Sequence, residues 1–119
     1  DRSVWLEEAS PIPENSLSFY TDGSRMEDSA GAGIFAPDCV MSFPLGHFPS
    51  VFQAEIIAIN ECARFCWTRN DISNHEVIIC SDSQAALKAL ASYSIRSRLV
   101  LQCLNDLKDL ASVCRLSLV

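Results

Sequence analysis

The pattern of apolar and polar positions changes its period along the chain, and each change predicts a different kind of element. Three short segments at the start are predicted to be strands: residues 17–21, 30–35 and 39–45. The first strand is predicted to end at Asp22, and the polar residues 23–29 are predicted to form a turn. Pro44 lacks an amide hydrogen, which places the third strand at an edge of the sheet or ends it. The pattern therefore indicates an antiparallel meander of three strands.

Helical periodicity begins after this meander. Ser50, with Gln53 three residues later, forms a capping box, and a helix is predicted over residues 51–68. The short apolar run at residues 77–80 fits a strand that is buried on both faces, and hence a parallel strand. Two more helices are predicted near residues 82–91 and 95–114, and a last strand begins at residue 115.

This order of elements predicts an α/β fold. We expect a mixed five-stranded sheet, with three antiparallel strands and then parallel strands, and with helices on both faces. Residues 1–16, which include two prolines, are interpreted as a linker or N-terminal extension, and residues 17–119 as the domain. The chain begins at Asp1 and ends at Val119 inside a predicted strand, so we expect a C-terminally truncated fragment of a longer protein.

Composition limits the function classes. Hydrophobic residues make up 49% and charged residues 20%, which indicates a globular domain. No apolar stretch is long enough to cross a membrane, and no signal peptide is apparent. The six cysteines mostly lie in apolar patterns and are interpreted as reduced, buried thiols, which indicates the cytoplasm or nucleus. A net charge of −6 without a basic cluster counts against duplex binding, unless the acids bind metal or a larger protein holds the substrate.

Three acidic residues occupy positions that suggest chemistry. Asp22 ends the first strand, and Asp82 follows the buried strand, where ligands bind in open α/β sheets. Glu55 lies at the centre of an apolar helix face, where a carboxylate is costly without a cation or strong donors. Each acid has an ordinary alternative interpretation. Asp22 could be a turn residue, Glu55 could lie at a solvent-exposed rim of the helix, and Asp82 could be a helix N-cap. The polar side of the same helix carries Gln53, Asn60 and Arg64.

Taken together, the three acids satisfy what a two-metal site requires. Clustered carboxylates repel one another unless divalent cations neutralise them, and oxygen ligands suit Mg²⁺ or Mn²⁺. Two such ions about 4 Å apart activate a water and stabilise the leaving oxygen of a phosphodiester. We therefore expect the three side chains to converge and to share two metal ions.

Three blocks of the sequence resemble the successive signature blocks of the type 1 ribonuclease H family. They are Thr-Asp-Gly-Ser at 21–24, Gln-Ala-Glu at 53–55 and Ser-Asp-Ser at 81–83, with a similar small-residue strand at 31–34. Residues 51–55 and 81–87 are most similar to the domain of non-LTR retrotransposon reverse transcriptase polyproteins. The resemblance covers about residues 17–119.

The resemblance implies a ribonuclease H fold and metal-dependent cleavage of the RNA strand of RNA–DNA hybrids by a domain tethered to a reverse transcriptase. By position, Asp22, Glu55 and Asp82 match three of the family's four metal-binding, catalytic carboxylates. The expected cofactor is Mg²⁺ or Mn²⁺, with two ions. The substrate-binding residues predicted beside the acids are Gly23, Ser24 and Ser83.

The sequence departs from the family pattern in several places. The fourth acid and its preceding histidine lie beyond the fifth strand in the family, and this chain ends before both. Val51 and Phe52 occupy positions where cellular members place polar substrate contacts. His47 and His75 match no family position and are predicted to lie at the surface. We therefore expect weak metal binding and slow or absent cleavage by the chain as it stands.

Two other function classes compete with this interpretation. The first is a catalytically inactive, truncated module of the same fold with a structural or interaction role. The second is a phospho-acceptor α/β protein that uses Asp22 or Asp82. Such proteins alternate strand and helix from the start, so the three initial strands argue against it.

Overall fold

Five strands and three helices make up the part of the chain that the computed structural model describes, residues 16–69, 71–73, 75–92 and 97–119. In chain order they are β1 (Ser16–Arg25), β2 (Ala30–Ala36), β3 (Cys39–Gly46), α1 (Val51–Trp67), β4 (Glu76–Ser81), α2 (Gln84–Ala91), α3 (Arg98–Ala111) and β5 (Arg115–Leu118). The linker predicted over residues 1–16 lies outside the described residues, apart from Ser16.

The strands form one mixed sheet in the order β3-β2-β1-β4-β5. The pairs β1–β2 and β2–β3 are antiparallel, whereas β1–β4 and β4–β5 are parallel. The predicted fold class is therefore confirmed, and β3 lies at the edge that Pro44 indicated. Two crossover connections join parallel strands: α1 lies between β3 and β4, and α2 and α3 lie between β4 and β5. Both connections run in the same direction across the sheet, so right-handed crossovers place their helices on the same face.

The first strand is longer than the sequence indicated. The prediction that it ends at Asp22 is wrong, because β1 continues to Arg25 and residues 23–25 pair with residues 30–32 of β2. A polar stretch with a glycine is typical of a turn, but an antiparallel partner supplies backbone hydrogen bonds whatever the side chains are. Asp22 consequently lies inside a paired strand, where its backbone is fixed on one side by β2.

One hydrophobic core lies between the sheet and the helices. Phe19 of β1, Ile34 of β2 and Ile79 of β4 point into it from the sheet. All three helices contribute, through the core residues Ile56, Ile59, Ala86, Leu90, Val100, Cys103, Leu107 and Leu110. The sequence predicted helices on both faces of the sheet. Because all three described helices pack into this one core, they lie on one face.

Serine residues cap all three helices. Ser50 accepts from the backbone N–H of Gln53, whose side chain accepts from Ser50 N–H, so the predicted capping box is confirmed. Ser83 and Ser97 cap α2 and α3 in the same way, through one side-chain oxygen each. The starts of α2 and α3 are thus set by serine, two and three residues later than the periodicity alone indicated.

A polar contact joins α1 to α3 at the edge of their apolar interface. Asn60 is 4% exposed, although the helical periodicity placed it on the polar side of α1. The side chain donates from Nδ2 to the Asp106 carboxylate of α3 at 2.5 Å. Arg64 lies 3.9 Å from the same carboxylate. On the polar side of α1, Asn60 is therefore covered by α3, which carries an acceptor for its buried amide, whereas Gln53 and Arg64 remain exposed.

None of the six cysteines, all of which lie among the described residues, forms a disulfide bond, and five of them are buried. A hydrogen bond with Cys66 and burial together raise the pKa of Cys62, and burial raises the pKa of Cys103 to about 12. These thiols are therefore protonated and unreactive at neutral pH. Among the described residues, no helix has the length and apolar character that a membrane crossing requires.

Candidate metal centre

The parallel pairing of β1 and β4 brings Asp22 and Asp82 to the same place. Thr21 pairs with Ser81, the last residue of β4; Asp22 is the next residue of β1, and Asp82 follows the end of β4. The Thr21 hydroxyl donates to the Cys80 carbonyl at 3.1 Å and ties the two strands together at this level. Because β4 ends here, Asp22 keeps β2 as its neighbour on one side and an open gap on the other.

Gly23 lets α1 approach this gap. A Cβ atom at position 23 would lie 2.2 Å from the Glu55 nitrogen and 2.4 Å from the Ala54 carbonyl carbon. Only a residue without a side chain permits β1 to pass so close to the second turn of a helix. The close contact delivers the Glu55 side chain to the gap beside Asp22, and the Gly23 backbone N–H donates to its carboxylate.

The three carboxylates converge, as the sequence predicted. Ligand oxygens of Asp22, Glu55 and Asp82 all lie within 4.8 Å of one another. Glu55 is 6% exposed, which excludes the alternative of a solvent-exposed helix rim, whereas Asp22 and Asp82 are exposed. The ordinary alternatives for the aspartates are also wrong, because Asp22 lies within a strand and Ser83 is the N-cap of α2. The centre is thus closed towards α1 and open to solvent at the aspartates.

The electrostatics of the centre oppose the ionisation of Glu55. Burial raises the pKa of Glu55 above its ordinary value of 4.5, and the neighbouring charges of Asp22 and Asp82 raise it further. Two hydrogen bonds act in the opposite direction, from the Gly23 backbone N–H and from the Ser81 hydroxyl, 3.5 Å from Oε2. Three carboxylates of this kind form a hard oxygen donor set whose mutual repulsion a divalent cation relieves. These residues therefore fit Mg²⁺ or Mn²⁺.

The predicted substrate-binding residues have different environments. Ser24 is exposed on β1, two residues beyond Asp22, and remains accessible to a ligand. Gly23 is buried against α1, so its observed role is to permit the approach of Glu55. The Ser83 hydroxyl accepts from Ala86 N–H at 3.1 Å, and capping of α2 occupies it.

Ser81 is a member of the centre that the sequence interpretation missed. The side chain is 2% exposed; its oxygen accepts from Ser83 N–H at 3.1 Å, and its hydroxyl faces Glu55. A hydroxyl directly after the apolar run at residues 77–80 was the available signal, since a buried polar group must find partners. Ser81 therefore connects the end of β4 to the buried carboxylate and to the start of α2.

Comparisons with known proteins bear on the fold. No protein-family model and no curated protein sequence matches this chain. Among solved structures, RNase H1 from the halophilic archaeon Halobacterium salinarum NRC-1 superposes with a TM-score of 0.61 at 15% identity, over 87% of this chain and 85% of that one.

Two further solved structures are similar. The N-terminal RNase H domain of a Mycobacterium tuberculosis protein, solved as a fusion with maltose-binding protein, gives a TM-score of 0.66 at 15% identity, covering 89% of this chain and 83% of that one. LC11-RNase H1, solved in complex with an RNA/DNA hybrid, gives 0.66 at 14% identity, covering 87% and 84%. With the sheet order and the helices described above, these similarities show that the chain has the ribonuclease H fold.

Proposed function

We propose that this chain is a divalent-metal-dependent ribonuclease H domain, which hydrolyses the RNA strand of RNA–DNA hybrids. The observation that carries the proposal is the convergence within 4.8 Å of carboxylates from β1, α1 and the end of β4, in a ribonuclease H fold. The similarity to LC11-RNase H1, a protein solved with a bound RNA/DNA hybrid, supports the choice of substrate.

Asp22, Glu55 and Asp82 would hold the Mg²⁺ or Mn²⁺ ions, of which we expect two. When bound, such ions activate a water and stabilise the leaving oxygen of a phosphodiester. The protein holds the ligands in place. Pairing with β2 fixes the Asp22 backbone, and the Gly23 amide and Ser81 hydroxyl orient Glu55. A geometry fixed before binding lowers the entropic cost of bringing the reacting groups together.

Selection of RNA over DNA requires contacts with the 2′-hydroxyl groups, which an A-form-like hybrid displays in a wide, shallow minor groove. Ser24 offers an exposed hydroxyl two residues from Asp22 on the same strand. We assign Ser24 to contact the substrate, while Gly23 and Ser83 support it indirectly through the packing of α1 and the capping of α2.

The proposed cellular context is a retroelement protein. In it, the domain is tethered to a reverse transcriptase and acts in the nucleus or cytoplasm. The net charge of −6 supports a tether, because counterion release from phosphates would contribute little to binding by the domain alone. The resemblance of residues 51–55 and 81–87 to non-LTR retrotransposon domains supports the retroelement origin.

Cleavage of an end-labelled RNA–DNA hybrid in Mg²⁺ or Mn²⁺, resolved on a denaturing gel, tests the proposal. We expect the RNA strand to be cut slowly and a DNA–DNA duplex to remain intact. Asp22→Asn should lower the rate by about 100-fold or more, because metal-ion stabilisation is worth several kcal/mol. Asp109→Asn removes one exposed carboxylate of α3, outside the centre, and should leave the rate unchanged.

The count of three carboxylates in the centre, within the described residues, favours one alternative: an inactive module of the same fold. Metal-dependent binding of the hybrid without any cleavage would support that alternative. Equal cleavage by wild type and Asp22→Asn would contradict both, because neither allows hydrolysis without the acidic centre.

A further inference from the structure

The face of the sheet turned away from the helices carries buried apolar side chains. Phe19, Val77 and Ile79 pack with the helices in the core. Because successive side chains of a strand point to opposite faces, Ile78 and Cys80 of β4 point to the other side, which we call the outer face. Neither belongs to the cluster that packs with the helices, yet Ile78 is only 7% exposed and Cys80 only 1%. Something other than the three helices therefore covers β4 on the outer face.

The strands on either side of Ile78 cannot supply this cover. Ile78 pairs with Ser18 of β1 and with Ser117 of β5, and both side chains are shorter than that of isoleucine. The ring of Tyr20, the partner of Cys80, can shield the thiol, but this pair is two residues along the strands from Ile78. Ser117 is itself exposed, whereas Ser18 is partly buried. The cover thus lies over β4 and β1 and ends before β5.

Burial of the outer face also decreases towards β3. Tyr20 of β1 pairs with Phe35 of β2, and Phe35 pairs with Val40 of β3, so the three residues form one row across the strands. Phe35 is 41% exposed and Val40 71%. The cover is therefore narrow, and it does not form a second layer over the whole sheet. A short segment with one or two large apolar side chains has this size.

The cover comes from this chain, because Ile78 is already buried in the single chain without a partner. The three helices pack on the other face of the sheet, and the described turns join the ends of strands and helices. Among the remaining residues, 70, 74 and 93–96 lie in the connections that follow α1 and α2. Residues 1–15 are the segment that does not connect two of these elements.

The segment of residues 1–15 has the length and the composition that the cover requires. It leads directly into β1 at Ser16, which pairs with Glu76, two residues before Ile78 and about 7 Å from it along β4. The eleven residues from Trp5 to Ser16 span up to about 35 Å when extended, so the chain can turn back over the sheet. The segment contains an uninterrupted apolar run, which consists of Val4, Trp5 and Leu6.

We propose that residues 1–15 belong to the folded domain and that their apolar run docks on the outer face over β4 and β1, with Trp5 against Ile78. A tryptophan side chain buries about 150–250 Å², which matches a cover that is two strands wide. The inference does not depend on the acidic centre. It gives a structural role to a segment that the sequence indicated as a linker or N-terminal extension. Any polypeptide joined before residue 1 would then be held close to the outer face.

Tryptophan fluorescence tests the docking without disturbing the contact. The full chain with Trp67→Phe keeps Trp5 as its one tryptophan. A docked Trp5 should emit at shorter wavelength in the folded chain than in urea, and acrylamide should quench it several-fold less. The matched control is Trp5→Phe, which keeps the 52%-exposed Trp67 and should be quenched readily in the folded chain. A Trp5 that is quenched equally in the folded and the unfolded chain would overturn the proposal.

Thiol labelling tests whether the contact is with the outer face. Ile78→Cys places a thiol under the proposed position of Trp5, and N-ethylmaleimide labelling of the folded chain is followed by peptide mass spectrometry. The new thiol should be protected, and adding Trp5→Ala should raise its labelling rate about tenfold or more. Cys103, in the core, should stay protected in both proteins. Adding Trp67→Ala instead should leave both rates unchanged, and adding Trp5→Phe should keep the new thiol protected.

Three results of the labelling would overturn the proposal. They are rapid labelling of the Ile78→Cys thiol while Trp5 is intact, equal acceleration by Trp5→Ala and Trp67→Ala, and protection that rises with protein concentration, which would assign the cover to a second copy of the chain. If Trp5→Ala exposes Cys103 as well, the variant unfolds, and the quenching of Trp5 in Trp67→Phe decides the question.

Discussion

Glu55 is a carboxylate held where the fold disfavours its charge. The side chain projects from α1 and is buried, and the aspartates of β1 and of the end of β4 lie close to it. Burial is the larger cause of its raised pKa, and the two aspartates add to it. Such a residue is retained at a cost in stability, as is common where a functional site needs buried charge.

This cost predicts a pH dependence in the absence of metal. The pKa of Glu55 is higher in the folded than in the unfolded chain. The stability that its protonation contributes to the folded chain is therefore complete below the ordinary pKa of 4.5. The contribution is lost as the pH rises through the raised, folded-state pKa. Glu55→Gln should therefore gain stability relative to wild type as the pH rises. Urea unfolding between pH 4 and 8 in EDTA measures the difference, and parallel profiles for the two proteins would contradict the prediction.

Gly23 is the residue whose replacement should damage the centre most through packing. Gly23→Ala places a Cβ 2.2 Å from the Glu55 nitrogen, and backbone atoms on both sides cannot move apart cheaply. We expect a loss of about 3 kcal/mol or more in the free energy of unfolding. Gly31→Ala is the control, because its nearest contact would be an ordinary 3.5 Å, and its cost should stay within about 1 kcal/mol. Equal urea midpoints for the two variants would contradict this account.

At the scale of the elements, the contact between α1 and α3 contains a testable polar pair. Asn60 and Asp106 form a hydrogen bond across the two helices, at the edge of an apolar interface. In a double-mutant cycle with Asn60→Ala and Asp106→Ala, we expect a coupling energy of about 1–2 kcal/mol, since one partner is charged. Chemical denaturation of the four proteins measures the coupling energy. A value near zero would mean that the hydrogen bond adds no net stability, because its gain only offsets the cost of desolvating the two groups.

The positions of most elements and the start of α1 follow from local chemistry, but the end of β1 does not. The capping serine and the glutamine three residues later sufficed to predict the start of α1, because both act within one turn. The end of β1 depends instead on pairing with β2, which no local pattern reveals. The helical periodicity assigned Asn60 to the polar side of α1. It could not show that α3 buries this side chain, because the position of α3 is a tertiary property. Periodicity identifies a helix face, but not which neighbours will cover it.

At the scale of the whole molecule, the centre depends on three segments that are far apart in the sequence. The sequence predicted its acids, since their positions at a strand, a helix face and a strand end were unusual together. It did not predict how Gly23 and Ser81 contribute, because close approach and the satisfaction of a buried hydroxyl are visible only after the elements pack. The catalytic role of the acids remains a prediction.

A ligand that binds only the folded chain must stabilise it, so Mg²⁺ should raise the thermal midpoint. At a concentration about ten times the dissociation constant the gain is about 1.4 kcal/mol. For a domain of this size the corresponding rise is about 5 °C. Asp82→Asn should lose most of this rise, and Asp109→Asn should keep it, because Asp109 lies outside the centre. Differential scanning calorimetry with and without Mg²⁺ provides the comparison, and an equal rise in both variants would disprove a specific centre.

Paramagnetic line broadening by Mn²⁺ tests most directly whether the three carboxylates form one metal centre. In a ¹⁵N-labelled chain titrated with substoichiometric Mn²⁺, amide signals around Asp22, Glu55 and Asp82 should broaden first and together. Asp22→Asn should abolish this selective broadening without changing the rest of the spectrum. Broadening spread over the exposed acids of the surface, such as Asp71 and Asp109, with no preference for the centre, would contradict the account.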